Sequence, residues 1–261
     1  MGPLDTFRLD GRVAFVSGGG GAIGSAIASA LGSAGARVVI GEISAERAEA
    51  AAEQVRALGV DSFAIATDAT DEAAAERVVA TTVEKFGRLD IIVNAVGGGA
   101  GKVVFDAQDY PRDAWDWIME LNLRSTLVAT QPAVRQMIKA GQGGKVVNIS
   151  SVRAQLGITT GYAAYVAAKG AVSSLTRQWA TEWAKYGINV NAIAPTFVDT
   201  PQVAMLLGDP AFKAGLVSRI PLGRVGVTDD LVGAVLFFAS AASAFVTGQI
   251  LTIDGGLTAT Q

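Results

Sequence analysis

Short apolar, β-branched runs alternate with longer helix-like segments from one end of this chain to the other, and that alternation leaves few folds open. The runs are RVAFVSG, ARVVIGE, SFAIATD, DIIVNAVG, KVVNISS, INVNAIAP and GQILTIDGG. Most are continuously hydrophobic rather than alternating, as strands covered on both faces are, and such strands build parallel sheets whose crossovers are helices. The segments between them, such as ISAERAEAAAEQVRALG and TDEAAAERVVATTVEKFG, are rich in Ala, Glu and Arg and end in Gly, as helices do. No repeat period and no low-complexity linker interrupts the series. The expectation is one α/β domain over residues 1–261, a doubly wound sheet of seven mainly parallel strands with helices on both faces.

One stretch breaks the rhythm. Residues 199–227 carry Pro201, Pro210 and Pro221 with Gly208, Gly215, Gly223 and Gly226, which is long for a connection inside a compact α/β unit. Near the carboxyl ends of the strands, such an insertion is expected to be a lid over a ligand; the alternative is surface elaboration.

Composition narrows the chemistry. The chain has no His and no Cys, so Ser-His-Asp triads, thiolate nucleophiles, Cys/His zinc sites and disulfides are excluded. Proton transfer falls to Tyr, Lys, Asp or Glu. A net charge of −3 offers no footprint for nucleic acid. The longest apolar stretch, LVGAVLFFASAASAFV, has 16 residues, too few to span a bilayer, and the first residues lack the apolar centre of a signal peptide. A cytoplasmic protein that binds no membrane and no metal is expected.

VAFVSGGGGAIGSAIASAL reads as strand, glycine turn and helix. Glycines let bare backbone N–H groups approach a pyrophosphate at a helix N-terminus, so Gly18 and Gly24 frame a candidate dinucleotide turn. Glu42 closes the second strand 18 residues after Gly24, where a carboxylate accepts from both hydroxyls of an adenosine ribose. Asp68 ends the third strand, where adenine would lie or where it would cap the next helix. Asn94 opens NAVGGG, a flexible wall after the fourth strand.

In GYAAYVAAK, Tyr165 and Lys169 are four residues apart, on one helix face and about 6 Å apart along the axis. A phenol titrates near 10, and an adjacent ammonium lowers that by about 1 to 3 units. Tyr162 lies about 10.5 Å from Lys169 along the axis, too far for such an effect, and is placed in the pocket wall.

Together these motifs resemble the short-chain dehydrogenase/reductase family in its compact form, nearly end to end from GRVAFVSGGGGAIG to GQILTIDGG. The resemblance implies a Rossmann-type fold and NAD as cofactor. The family's Gly-x-x-x-Gly-x-Gly turn is matched by Gly18 and Gly24, with Ala22 in place of the middle glycine. Its acidic NAD residue is matched by Glu42, its adenine-contacting Asp by Asp68, and its Asn-Asn-Ala-Gly element by Asn94 and Gly97, with Ala95 replacing the second Asn. Further cofactor contacts are implied at Gly21, Ile23, Ala69, Val96 and Val198, and at Pro195 and Thr200 in the segment that meets the nicotinamide carboxamide. There Thr196 replaces a glycine, which also alters the substrate pocket. The catalytic set is Asn122, Ser151, Tyr165 and Lys169. Ser151 stands 14 residues before Tyr165, one more than in many members, so Ser150 stays the alternative. By the resemblance Tyr165 moves the proton, Lys169 holds the nicotinamide ribose and lowers the tyrosine pKa, Ser151 binds the reacting oxygen, and Asn122 holds a water linking Lys169 to solvent.

The expected activity is that of an NAD-dependent alcohol dehydrogenase or carbonyl reductase acting on a small secondary alcohol or ketone of sugar, polyol, hydroxy-acid or aryl type. The alternatives are a 3-oxoacyl thioester reductase and, from another class, a non-catalytic dinucleotide-binding regulator. Arg153 could pair with a substrate carboxylate or sulfonate, or instead form a surface ion pair. Gly97, Tyr162, Thr196 and Met205 complete the expected substrate pocket. NAD is expected to be strongly preferred over NADP, because Gly19, Gly20 and Gly21 carry no side chain and Ile43 is apolar, leaving no Arg or Lys evident for a 2′-phosphate; the alternative is an outward Glu42 with NADP bound through Arg47. The resemblance further implies a homotetramer, with Trp115, Trp117, Trp179 and Trp183 each suited to its interfaces or, alternatively, packed within its own subunit.

Overall fold

The computed structural model describes residues 2–159 and 161–260. All seven apolar runs become strands: β1 (Val13–Ser17), β2 (Arg37–Glu42), β3 (Ser62–Ala66), β4 (Ile91–Asn94), β5 (Gly144–Ile149), β6 (Ile188–Pro195) and β7 (Ile250–Ile253). They form one sheet in the order β3-β2-β1-β4-β5-β6-β7, and every described pairing is parallel, where the sequence suggested a mainly parallel sheet.

The helices are α1 (Ala22–Ser33), α2 (Ala45–Arg56), α3 (Glu72–Phe86), α4 (Arg112–Met119), α5 (Ser125–Ala140), α6 (Ala163–Trp183), α7 (Ala204–Leu207), α8 (Pro210–Val217) and α9 (Asp229–Ala239). Local chemistry sets their ends. The Ser44 hydroxyl accepts from the Arg47 N–H to start α2, and the Asp71 carboxylate accepts from the Ala74 N–H to start α3. Gly87, at φ 78°, closes α3 in the left-handed conformation that its lack of a Cβ permits.

Successive strand residues face opposite layers. Ala14 and Val16 pack with α1, α2 and α9, while Val13 and Phe15 pack with α3, α5 and α6. Apolar side chains cover both faces of the strands, which explains the continuous rather than alternating runs. Trp179 is 6% exposed in the second layer, and the Trp183 ring stacks on it with centroids 5.1 Å apart. Of the four tryptophans, Trp179 lies in the core and so falls to the alternative of packing within the chain, Trp115 and Trp183 are half-buried, and Trp117 is 41% exposed.

The chain order reverses between β1 and β4, which opens a crevice at their carboxyl ends. Register brings Ser17 beside both Gly41 and Asn94, so the glycine turn, the end of β2 and the NAVGGG segment converge there. The 199–227 stretch folds as α7 and α8 around a small core of its own, Leu207, Leu216, Ile220 and Val225, packed against Phe197 and Leu257.

Candidate active site

The glycine turn is shaped by close approach. Gly18 sits at φ 78°, and a Cβ there would lie 2.8 Å from the Val96 nitrogen and 2.9 Å from the Ala95 carbonyl carbon. A Cβ on Gly24 would fall into the Gly18 carbonyl, so α1 packs onto the turn only because that position is bare. Gly21 is the N-cap of α1 and supplies no capping side chain, which leaves first-turn N–H groups open to an anion. Ala22, where the family has glycine, begins the helix with its methyl exposed. Ile23 packs partly against the core, so what it offers the cleft is backbone. This cradle, bare of side chains and at a helix N-terminus, fits the pyrophosphate of a nicotinamide dinucleotide.

At the ribose end, Glu42 is 7% exposed, and its Oε1 accepts from Arg47 Nη2 at 2.5 Å and from the Ser44 N–H at 3.4 Å. A Cβ on Gly20 would lie 2.6 Å from the Glu42 Cγ and 3.0 Å from Arg47 atoms. Carboxylate, guanidinium and turn thus share one small region. The expectation that no basic residue stands near a 2′-phosphate is corrected: Arg47, five residues on and in the first turn of α2, folds back to Glu42. Asp68 is exposed after β3, and its Oδ1 accepts from the Thr70 N–H and hydroxyl, while Asp71 caps α3; Ala69 lies half-buried beside it.

Asn94 is 2% exposed, and its amide donates to Thr130 Oγ1 at 2.7 Å and to Asn148 Oδ1 at 2.8 Å. Asn148 passes the chain on to Thr176, tying β4 and β5 to α5 and α6. The amide nitrogen of Asn94 thus braces the sheet, while its Oδ1 is buried without a partner. Ala95 donates its N–H to Ser17, holding the loop without the amide the family carries there.

Asn122 lies in a π-helical turn, Glu120–Arg124, that joins α4 to α5. Its amide donates to the Gly98 carbonyl at 3.0 Å and the Ile118 carbonyl at 3.1 Å, and its Oδ1 accepts from the Gly98 N–H at 2.7 Å. Fully buried, this side chain clamps the glycine loop to the π-helical turn.

α6 starts at Tyr162, with Tyr165 in its first turn and Lys169 one turn later. Lys169 Nζ donates to the Ile149 carbonyl at 2.9 Å and stands 5.8 Å from the Tyr165 ring centroid. Burial lowers the Lys169 pKa to about 8. Burial also raises the Tyr165 pKa, and the groups that counter the rise are the Ser151 hydroxyl and the Arg153 guanidinium. The expected lowering by Lys169 is thereby corrected, since desolvation outweighs every charge near the phenol.

The serine alternatives separate by geometry. Ser150 Oγ is 2.7 Å from Ser173 Oγ and donates to the Lys169 carbonyl at 3.2 Å, so it anchors α6. Ser151 instead faces the Tyr165 phenol, its Oγ also accepting from the Arg153 N–H at 3.1 Å. The Arg153 guanidinium donates to the Gly157 carbonyl at 3.1 Å and has no acidic partner among the described residues. Burial lowers its pKa, as does nearby Arg219, while the Tyr165 and Tyr162 phenols oppose that.

Pro195 ends β6 beside Ile253, and the Thr196 N–H bonds the Ile253 carbonyl at 3.3 Å. Thr196 Oγ1 is buried without a partner, and Thr200 is 8% exposed. Val198 is buried in the core facing α9 and bridges Gly226, so its side chain is turned from the cleft. Met205, expected in the pocket, is 86% exposed on α7, which corrects that placement.

Buried cations have a consequence for stability. Lys169 and Lys145, the latter on β5 beside Asn189 and Ser243, both titrate near 8 in the fold against 10.5 ordinarily, chiefly through burial. Between those values the unfolded chain binds more protons, so folding is expected to strengthen as pH rises from about 8 towards 10.5. Urea midpoints of the dinucleotide-free protein should climb over that window, and Lys145→Met should flatten part of the climb. Midpoints that fall, or a Met variant with the same slope, would contradict these assignments.

A family model described as enoyl-(acyl carrier protein) reductase matches residues 20–258. The 2-dehydro-3-deoxy-D-gluconate 5-dehydrogenase of Dickeya dadantii (strain 3937) is 37% identical over 254 residues, covering 97% of this chain and 98% of that one. A solved gluconate 5-dehydrogenase from Burkholderia cenocepacia J2315, in complex with NADP and tartrate, superposes with a TM-score of 0.91 at 38% identity and covers 100% of both chains. A 7α-hydroxysteroid dehydrogenase complexed with NADH and 7-oxo glycochenodeoxycholic acid gives a TM-score of 0.91 at 33% identity, covering 98% of each.

Proposed function

Because this chain belongs to the short-chain dehydrogenase/reductase family, we propose that it interconverts a secondary alcohol and its ketone on a small hydroxy acid of the sugar-acid kind, with NAD as the preferred cofactor. The observation that carries the substrate class is Arg153, a half-buried guanidinium without an acidic partner among the described residues, set beside Ser151, Tyr162 and Tyr165. Such a cation calls for an anion, and a carboxylate matches its planar fork. The gluconate-type substrates named for two of the relatives support the same class.

When bound, the nicotinamide ring supplies or accepts the hydride. The chain's own groups manage oxygen and proton. Tyr165, its pKa raised by burial, keeps its proton at neutral pH and delivers it to the oxygen of the ketone in reduction. In oxidation the same phenol must take up the alcohol proton, so that direction is expected to quicken as pH rises. The Ser151 hydroxyl donates to the reacting oxygen as charge develops there. Lys169, fixed on the Ile149 carbonyl beneath the phenol, adds positive charge and a ribose contact. The first-turn N–H groups of α1 hold the pyrophosphate, Thr196 and Thr200 meet the carboxamide end, and Glu42 accepts from the adenosine ribose.

Arg153→Leu tests the substrate class. Loss of a charge-assisted pair is worth about 2 kcal/mol, so KM for D-gluconate should rise roughly thirtyfold with a smaller change in kcat. An unchanged KM would sink the role of Arg153.

We also read the protein as a homotetramer. Trp117 and Phe105 near α4, and Phe245, Leu222 and Leu251 around β7, leave two exposed apolar patches for two kinds of interface. Light scattering at micromolar concentration should give four times the chain mass; a monomer would contradict the assignment. Among the described residues, no helix is long and apolar enough to cross a membrane.

A further inference from the structure

Most polar side chains around the cleft are already committed. Asn122 gives its amide to Gly98 and Ile118, Asn94 gives its own to Thr130 and Asn148, and Lys169 holds the Ile149 carbonyl. Gln202, at the start of the 199–227 segment, differs. Among the described residues its carboxamide makes no hydrogen bond, and although the residue is exposed, the carboxamide lies against the glycine loop: a Cβ built on Gly98 would fall inside it.

The wall it touches is unusual. Gly97, Gly98 and Gly99 follow one another at φ 154°, 110° and 76°, so no side chain projects from three successive residues. Other side chains take the space instead. A Cβ on Gly97 would lie 2.8 Å from Asn122 Oδ1 and 3.0 Å from Lys169 Nζ, and one on Gly99 would lie 2.6 Å from the Trp117 ring. Adjacent Cα atoms are about 3.8 Å apart, so the Gln202 carboxamide stands one residue along this bare wall from the acid–base machinery.

A carboxamide offers a donor and an acceptor together, which is what a neighbouring hydroxyl requires. Resting on the hydroxy-acid reading above, we propose that Gln202 is a specificity-determining residue: carried on the lid and seated on Gly98, its carboxamide hydrogen-bonds a hydroxyl adjacent to the reacting carbon and so fits the site to polyhydroxylated acids. A substrate without that hydroxyl forgoes the bond and binds more weakly. The lid contributes recognition as well as cover.

The test pairs two probes on the full chain with NAD. D-gluconate and 4-hydroxycyclohexanecarboxylate both carry a carboxylate and a secondary hydroxyl, but only the first has hydroxyls on neighbouring carbons. Gln202→Ala is expected to lower kcat/KM for D-gluconate about tenfold or more, mainly through KM. It should leave 4-hydroxycyclohexanecarboxylate within about twofold and the NAD dissociation constant unchanged, with Gln202→Asn recovering part of the loss. An equal loss on both acids, or weakened NAD binding, would overturn the proposal and make Gln202 a structural prop. Wild-type protein that oxidises 4-hydroxycyclohexanecarboxylate but not D-gluconate would also overturn it, and would leave the hydroxy-acid reading standing. Inertness towards both acids would overturn that reading and this inference together.

Discussion

Tyr165→Phe is expected to lower kcat by about 10²- to 10⁴-fold while the NAD dissociation constant stays nearly unchanged. The ring that packs beside Ile118, Ala164 and Ala168 remains, and only the transferable proton is lost. Tyr162→Phe should act chiefly on KM, because Tyr162 caps α6 and faces Arg153 rather than Lys169. A reversal of the two effects would move the acid–base role to Tyr162. Raising the pH should not rescue Tyr165→Phe, since a phenyl ring has no proton to transfer at any pH.

Much of this was legible from residue spacing. Fully covered parallel strands produce continuous apolar runs, so all seven strands could be read, and helical periodicity alone put Tyr165 and Lys169 on one face. What could not be read depends on where side chains turn after the backbone is set. Ser150 and Ser151 are equivalent in sequence, but strand alternation sends one to Ser173 and the other to the phenol. Nothing local indicates that Arg47 folds back across the first turn of α2, although a basic residue five positions after a strand-end acid is a signal to look for. The sign of the Tyr165 shift was missed because a charge four residues away is visible in sequence, whereas desolvation is set by packing from α4 and the 100–110 loop. Gln202 was missed for the same reason: its contact with Gly98 spans two loops far apart in the chain.

The second large effect concerns cofactor choice. A lone carboxylate 4 Å from a phosphate repels it by about 4 kcal/mol at an effective dielectric near 20, several hundredfold in affinity. Here Arg47 lies 2.5 Å from Glu42 and offsets part of that repulsion, so NAD is expected to be preferred by tens-fold rather than several hundredfold. Glu42→Ala removes the ribose acceptor and releases the guanidinium together. Catalytic efficiency with NADP should then rise about a hundredfold and that with NAD fall about tenfold, reversing the preference. Adding Arg47→Ala should erase the gain with NADP and leave NAD where the single variant left it. Equal or better efficiency of the wild type with NADP would defeat the assignment of Glu42, and an NADP gain that survives loss of Arg47 would defeat that of Arg47.

Reduced nicotinamide formed from NAD and a panel of carboxylate-bearing secondary alcohols, followed by absorbance at mildly alkaline pH, tests the proposed activity most directly. Turnover of at least one sugar acid by the wild type, rising with pH and lost in Tyr165→Phe, is the predicted result. No reduced nicotinamide across the whole panel, from protein that demonstrably binds NAD, would contradict it.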